Sequence, residues 1–127
     1  MKKKQPNLNS HDFVFLAAQA LIAKNGVNVV GFNVAKTSPL TDFYLIVTGK
    51  NPPHMKALAN ELRVRLKEKG SLCFKKAGDP ESGWIVADYI DVIVNIMSEE
   101  ARRYYALEDL WKDSEVLQIP CSSENTI

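Results

Sequence analysis

The chain has 127 residues, the size of one domain, and its 46% apolar and 24% charged residues suffice for one core without a disulfide framework or a structural metal. A net charge of +1 excludes the strong basic bias of a sequence-specific nucleic-acid-binding domain. Cys73 and Cys121 have no motif spacing and point to a reducing compartment.

Lys2, Lys3 and Lys4 followed by the apolar run FVFLAAQALIA (residues 13–23) superficially resemble a signal peptide. A polar insert at 5–12 separates the two, and Lys24, Asn25 and Gly26 stand where a small-residue cleavage site would be. The run is also too short to span a bilayer. It reads as a helix of a cytoplasmic protein with no membrane association.

Residues 1–9 are polar and read as a loose tail. A helix over 10–24 follows, with Asn9 or Ser10 as its cap and Gly26 past its end. Phe13, Leu16, Ala17, Ala20 and Leu21 form its core stripe, and Phe15, Ala18 and Ile22 a second one. Two apolar faces mean either a tight core or a self-association surface. Residues 29–35 (VVGFNVA) read as a strand, 36–42 as a loop, and 43–48 (FYLIVT) as a strand buried on both faces. Asn51 caps the next helix and Pro52 suits its first position; Met55, Leu58, Ala59, Leu62 and Leu66 face inward, and Gly70 ends it. Lys56, Asn60, Glu61, Arg63, Lys67 and Glu68 read as its solvated outer face.

Residues 71–76 read as a further strand and 77–83 (AGDPESG) as a turn-rich loop. Residues 84–97 (WIVADYIDVIVNIM) read as two strands of a hairpin. With Tyr89 and Ile90 as the loop, Asp88 stands opposite Asp91, Val86 opposite Ile93 and Trp84 opposite Asn95. Alternation places these six on one face and Ile85, Ala87, Val92, Val94 and Ile96 on a purely apolar one. Opposed carboxylates destabilise a hairpin, so Asp88 and Asp91 are either solvated turn residues or contacts for a basic partner. Trp84 on the same face favours a binding surface. A helix capped by Ser98 follows, with Tyr104, Leu107, Leu110 and Trp111 inward, and residues 113–127 read as a flexible tail. The expected fold is α/β: a single-layer mixed sheet of about five strands flanked by helices, in one domain spanning 10–112.

His11 and His54 lack partners at ligand spacing, so no metal site is expected, and no nucleophile–base motif is present. The turn Thr48-Gly49-Lys50 before a helix resembles that of nucleotidyltransferases. Such enzymes need paired carboxylates for two metal ions, but no phosphate-cradling glycine loop accompanies Asp88 and Asp91.

Three blocks together resemble a known family. Thr41, Asp42, Phe43 and Tyr44, then Val47, Thr48 and Gly49, then residues 53–59 (PHMKALA) are similar to the "TD…ASG…RH…AIA" block of the ribosomal silencing factors, the Iojap-like proteins. Residues 83–89 (GWIVADY) with 91–94 (DVIV) are similar to their "W-V-hydrophobic-D-Y-G-D-V-V-V-H" segment. Glu99, Arg102, Arg103, Tyr105, Leu107, Glu108, Leu110 and Trp111 match their closing "E-x-R-x-x-Y-x-L-E-x-L-W" helix. The match runs over roughly residues 13–112.

The resemblance implies a nucleotidyltransferase-like topology without the catalytic set, hence no enzyme, no cofactor and no small-molecule substrate. It implies a translational repressor that binds ribosomal protein L-fourteen on the large ribosomal subunit, sterically blocks association with the small subunit and silences translation under nutrient limitation. Members can form homodimers. The expected contacts are Trp84 as anchor, Asp88 and Asp91 as charged groups, and Tyr89 and Asn95 as neighbours. Thr41 and Asp42 either join them or merely organise their loop. Ile90 departs from the family's usual Gly, so the turn there must change type or carry strain; Asn95 replaces a usual His and Ala77 a usual Glu. A dimeric adaptor for another protein is the alternative function, and a nucleotidyltransferase-like enzyme the remaining one.

Overall fold

The computed structural model describes residues 10–119. Helix α1 (Ser10–Ala23) closes where the Gly26 amide reaches the Leu21 carbonyl at 2.8 Å. Phe13, Val14, Ala17, Ala18, Ala20 and Leu21 are all fully buried, and Phe15, Leu16 and Ile22 partly so. The helix lies against both the sheet and helix α2 (Pro52–Glu68). Packing within the chain thus accounts for the first stripe and for Ala18 of the second.

Strand β1 (Val27–Asn33) begins and ends two residues before the expected span. Its register shifts between Val27 and Val30, where Asn28 takes φ 52°. β1 pairs antiparallel with β2 (Phe43–Gly49), Phe32 standing against Tyr44. β2 is the interior strand that its continuous apolar run requires, with Leu45, Ile46 and Val47 fully buried. In α2 the Asn51 side chain accepts from the His54 amide at 2.8 Å, and Met55, Leu58, Leu62 and Leu66 point inward. Gly70 at φ 87° ends the helix: its amide bonds to the Lys67 carbonyl and that of Ser71 to the Leu66 carbonyl.

The next strand is not where the sequence suggested. β3 runs Lys75–Asp79, from the last two residues of the expected strand into the expected loop, and a 3₁₀ turn (Pro80–Ser82) joins it to β4 (Trp84–Asp88). All five β3 residues are exposed on a sheet edge, so no burial period marks them. Leu72 and Phe74, within the expected strand 71–76, are themselves exposed. Gly78 holds φ 80°, and a Cβ there would strike the Trp84 carbonyl oxygen, so the edge pairing needs glycine at this point.

β4 pairs antiparallel with β5 (Val92–Ser98), but two residues out of the expected register: Trp84 faces Met97, Val86 faces Asn95 and Asp88 faces Ile93. A shift of two preserves face parity. Ile85, Ala87, Val92, Val94 and Ile96 are therefore all buried on the α1–α2 side as expected. The opposition of Asp88 and Asp91 is lost, and the turn is longer. Within it the Tyr89 amide bonds to the Val92 carbonyl at 2.9 Å, and the Asp88 carboxylate accepts from the Ile90 amide at 2.7 Å. Ile90 sits at φ 75°, so of the two alternatives, a changed turn type or strain, this β-branched residue carries strain.

The sheet order is β3-β4-β5-β2-β1-β6, six strands rather than about five, with β2 and β5 parallel and every other pair antiparallel. Helix α3 (Glu99–Tyr105) is capped by Ser98 and stops at Ala106, φ 49°, before the single turn α4 (Leu107–Leu110). This break turns Tyr104 and Leu110 outward, contrary to the expected inner stripe: they are 79% and 72% exposed. Trp111 does pack inward, stacked on Tyr44 at 3.9 Å. Of the expected tail, Glu115–Val116 form β6 beside β1 and Leu117 is buried; residues 120–127, like the expected loose tail 1–9, lie outside the described residues.

Relief of left-handed strain, about 1–3 kcal/mol, exceeds the roughly 0.5–1 kcal/mol backbone-entropy cost of glycine. Ile90→Gly should add about 1 kcal/mol of stability, read as a higher urea midpoint, whereas Ile90→Val, equally β-branched, should not. His54 bridges two elements: Nδ1 accepts from the Lys50 amide at 2.9 Å, and Nε2 lies 2.8 Å from the Lys24 carbonyl, which it meets as a donor. Removing both bonds in His54→Ala should lower stability by about 1–3 kcal/mol in the same assay.

Candidate partner-binding surface

Trp84 opens β4 because Gly83, at φ 86°, releases the chain from the 3₁₀ turn. Its indole Nε1 donates to Asn95 Oδ1 at 3.0 Å, and Asn95 Nδ2 donates in turn to the Leu45 carbonyl at 3.4 Å. Asn95 is only 4% exposed. It orients the indole from beneath, and the buried amide has hydrogen-bond partners on both of its polar atoms. The Trp84 ring packs on Tyr105 at 4.7 Å between centroids, and Tyr105 meets Tyr104 edge-on at 4.9 Å. The result is a half-buried tryptophan rimmed by two exposed tyrosines. Tyr104 and Tyr105 did not enter the expected site: Tyr104 read as an inward residue and Tyr105 only as part of the matched closing motif, and the αL break at Ala106, which no helical periodicity reveals, leaves both exposed.

Arg102 fixes this rim. Its guanidinium holds Glu108 through Nε and Nη2 at 3.1 and 3.0 Å, and reaches the Thr48 hydroxyl at 3.0 Å. With the side chain only 11% exposed, the bidentate pair clamps α3 and α4 to the end of β2. The Ser98 amide also bonds to the Gly83 carbonyl at 2.9 Å, so the start of α3 is tied beside Trp84. Glu99 and Glu100 are exposed in that first turn.

The remaining expected residues gather at the opposite end of β4, about 13 Å along the strand. Asp88 is half-buried and caps the turn. Asp91 is buried, and its carbonyl accepts from the amides of Asp42 and Phe43 at 3.2 and 3.1 Å, locking the hairpin to the start of β2. Thr41 is buried, its hydroxyl directed to the Phe43 carbonyl at 3.4 Å, while the Asp42 carbonyl accepts from the Val34 amide at 2.8 Å. Thr41 and Asp42 thus organise the loop before β2. Tyr89 is 2% exposed, on the other side of the sheet against Phe13 at 6.0 Å. Burial first, and then Cys73, push its phenol above the usual range, so it stays protonated. The structure divides the expected site in two: Trp84 with Asn95 at one end, and Asp88, Asp91, Thr41 and Asp42 at the other.

Among the described residues, no group of three or more His, Cys, Asp or Glu side chains could hold a metal ion, and no helix is long and apolar enough to cross a membrane.

Comparison with known proteins places this arrangement. The family model "Ribosomal silencing factor during starvation" matches residues 7–126. The ribosomal silencing factor RsfS of Halalkalibacterium halodurans is 30% identical over 112 residues, covering 88% of this chain and 96% of that protein. That of Haemophilus influenzae is 36% identical over 93 residues, covering 73% and 91%. A crystal structure of a Chromobacterium violaceum protein superposes with a TM-score of 0.79 at 30% identity, covering 89% of this chain and 91% of that one. With a family model matched over nearly its whole length and the fold shared, the chain belongs to the ribosomal silencing factor family.

Proposed function

We propose that this protein is a cytoplasmic translational repressor that docks on ribosomal protein L-fourteen of the large subunit and blocks joining of the small subunit. The family describes a regulator of the ribosome rather than an enzyme. The observation that carries the reading is the Trp84 surface: an indole oriented by a buried Asn95 and rimmed by Tyr104 and Tyr105, with the exposed Glu100 and the Arg103-paired Glu99 in the first turn of the same helix. A preorganised aromatic anchor costs little entropy on docking, and carboxylates on that helix steer a basic partner. Trp84 is the anchor and the half-exposed Asp88 an outlying charged contact. Asn95, Asp91, Thr41 and Tyr89, being buried, act by holding the surface in place.

The test is sedimentation of purified protein with separated ribosomal subunits. Wild type should travel with the large subunit and reduce the joined-ribosome peak. Trp84→Ala and Tyr105→Ala, each first shown to be folded by circular dichroism, should bind at least about thirtyfold and tenfold more weakly, as loss of a central aromatic anchor and its rim implies. Asp88→Lys should have the smaller effect, mainly on association rate. No association of wild type with either subunit would remove the reading; equal binding by all variants would remove the surface.

A further inference from the structure

On the other side of the sheet, α2 and the β3–β4 hairpin leave a groove of about 720 Å³ between them. That is within the roughly 300–1,000 Å³ of small-molecule sites. Its accessible apolar lining is supplied by Pro52, Pro53 and Ala59 of α2 and by Pro80, with Ile85 and Ala87 of β4 and Tyr89 nearly buried beneath them. Lys76 stands opposite Ala87 and Gly78 opposite Ile85, so these two β3 positions share the groove-facing side of the hairpin. Gly78 brings no side chain to fill the space.

The charges around the groove are unequal in kind. Lys56, Arg63 and Lys76 line it, facing Asp79 and Glu81. Lys56, Asn60 and Arg63 recur at helical spacing along one face of α2, so residues that read as a plain solvated face form one wall. The Arg63 guanidinium is held by Asn60 Oδ1 at 2.8 Å, which aligns it while leaving its other donors available. Of the carboxylates, Asp79 is engaged in capping the 3₁₀ turn, accepting from the Ser82 amide at 2.8 Å. Lys56 and Arg63 lie about 10 Å apart along the helix axis, with Lys76 on the opposite wall. Cations on both walls suit a multiply charged anion better than a singly charged one. The same cations disfavour the chain's own Lys2, Lys3 and Lys4 segment as an occupant.

We propose that this groove binds an organic phosphate monoester, its apolar body on Ala59, Pro52 and Pro53 and its phosphate among Lys56, Arg63 and Lys76. The groove faces away from Trp84, which lies on the opposite face of the sheet from Ile85 and Ala87, so the site is independent of the ribosome-docking reading.

The test is calorimetric titration of the full chain with octyl phosphate below its micellar concentration. Inorganic phosphate serves as the head alone and octanol as the body alone. Octyl phosphate should bind one per chain, at least about tenfold more tightly than either. The Lys56→Glu, Arg63→Glu double variant should lose about tenfold or more, and Ala59→Phe, which fills the floor without changing charge, should lose binding as well. Both variants are first shown to retain wild-type circular dichroism and thermal midpoint, and Trp84→Ala should bind as wild type does. Absence of saturable octyl phosphate binding, equal binding of octanol, or indifference to the charge reversal would each overturn the proposal.

Discussion

β2 and β5 lie side by side and parallel, from Phe43 against Val92 to Gly49 against Ser98, cut off from water on both faces along most of their length. Every peptide group there must find its partner within the sheet, because an unpaired buried amide costs about as much as a lost hydrogen bond. A parallel pair cannot be closed by a tight turn. The chain therefore leaves β2 through α2, crosses the face, and returns by way of β3 and β4. That route lays α2 over one face beside α1, creates the edge hairpin, and starts α3 from the end of β5, beside Gly83. Both the aromatic surface and the groove are consequences of this one pairing.

The same constraint explains the division of the expected site. The loop between β4 and β5 must reach the start of β2, where the Asp91 carbonyl takes the amides of Asp42 and Phe43. Asp91 and Thr41 are buried in that junction, and Tyr89 is drawn through to the α1 side. Trp84, at the far end of β4, is held instead by Asn95 and by α3. A charge pattern that reads as a single acidic patch is thus a structural knot at one end and an aromatic platform at the other. Ile90 marks the cost: the turn keeps its geometry with a left-handed β-branched residue because the surrounding bonds over-determine it.

Arg102 shows how remote packing builds a surface. By holding Glu108, the Thr48 hydroxyl and, at 3.5 Å, the Val27 carbonyl, it sets α3 and α4 against the ends of β1 and β2. Tyr105 then meets the indole of Trp84. The Trp111–Tyr44 stack covers the neighbouring part of that face, so the aromatic rim continues a small second core rather than standing alone.

Local rules written along the chain determined much of this protein. The cap and stop of α2 at Asn51 and Gly70, its buried leucine stripe, the interior character of β2 and the face parity of 84–97 depend on residue type and spacing, and all are legible there. At Ile90 the sequence narrowed the turn to a changed type or strain, since a β-branched side chain resists positive φ wherever it stands; the tertiary structure decided for strain. Hairpin register, the position of β3, the sixth strand and the outward turn of Tyr104 were decided only in three dimensions. An exposed edge strand has no burial period, a shift of two residues leaves the face pattern unchanged, and the break at Ala106 is stabilised by Arg102 contacts to residues as far back in the chain as Val27. Burial of Asp91, Tyr89 and Asn95 likewise came from which strand lies beside which, and no property of those residues by themselves specifies it.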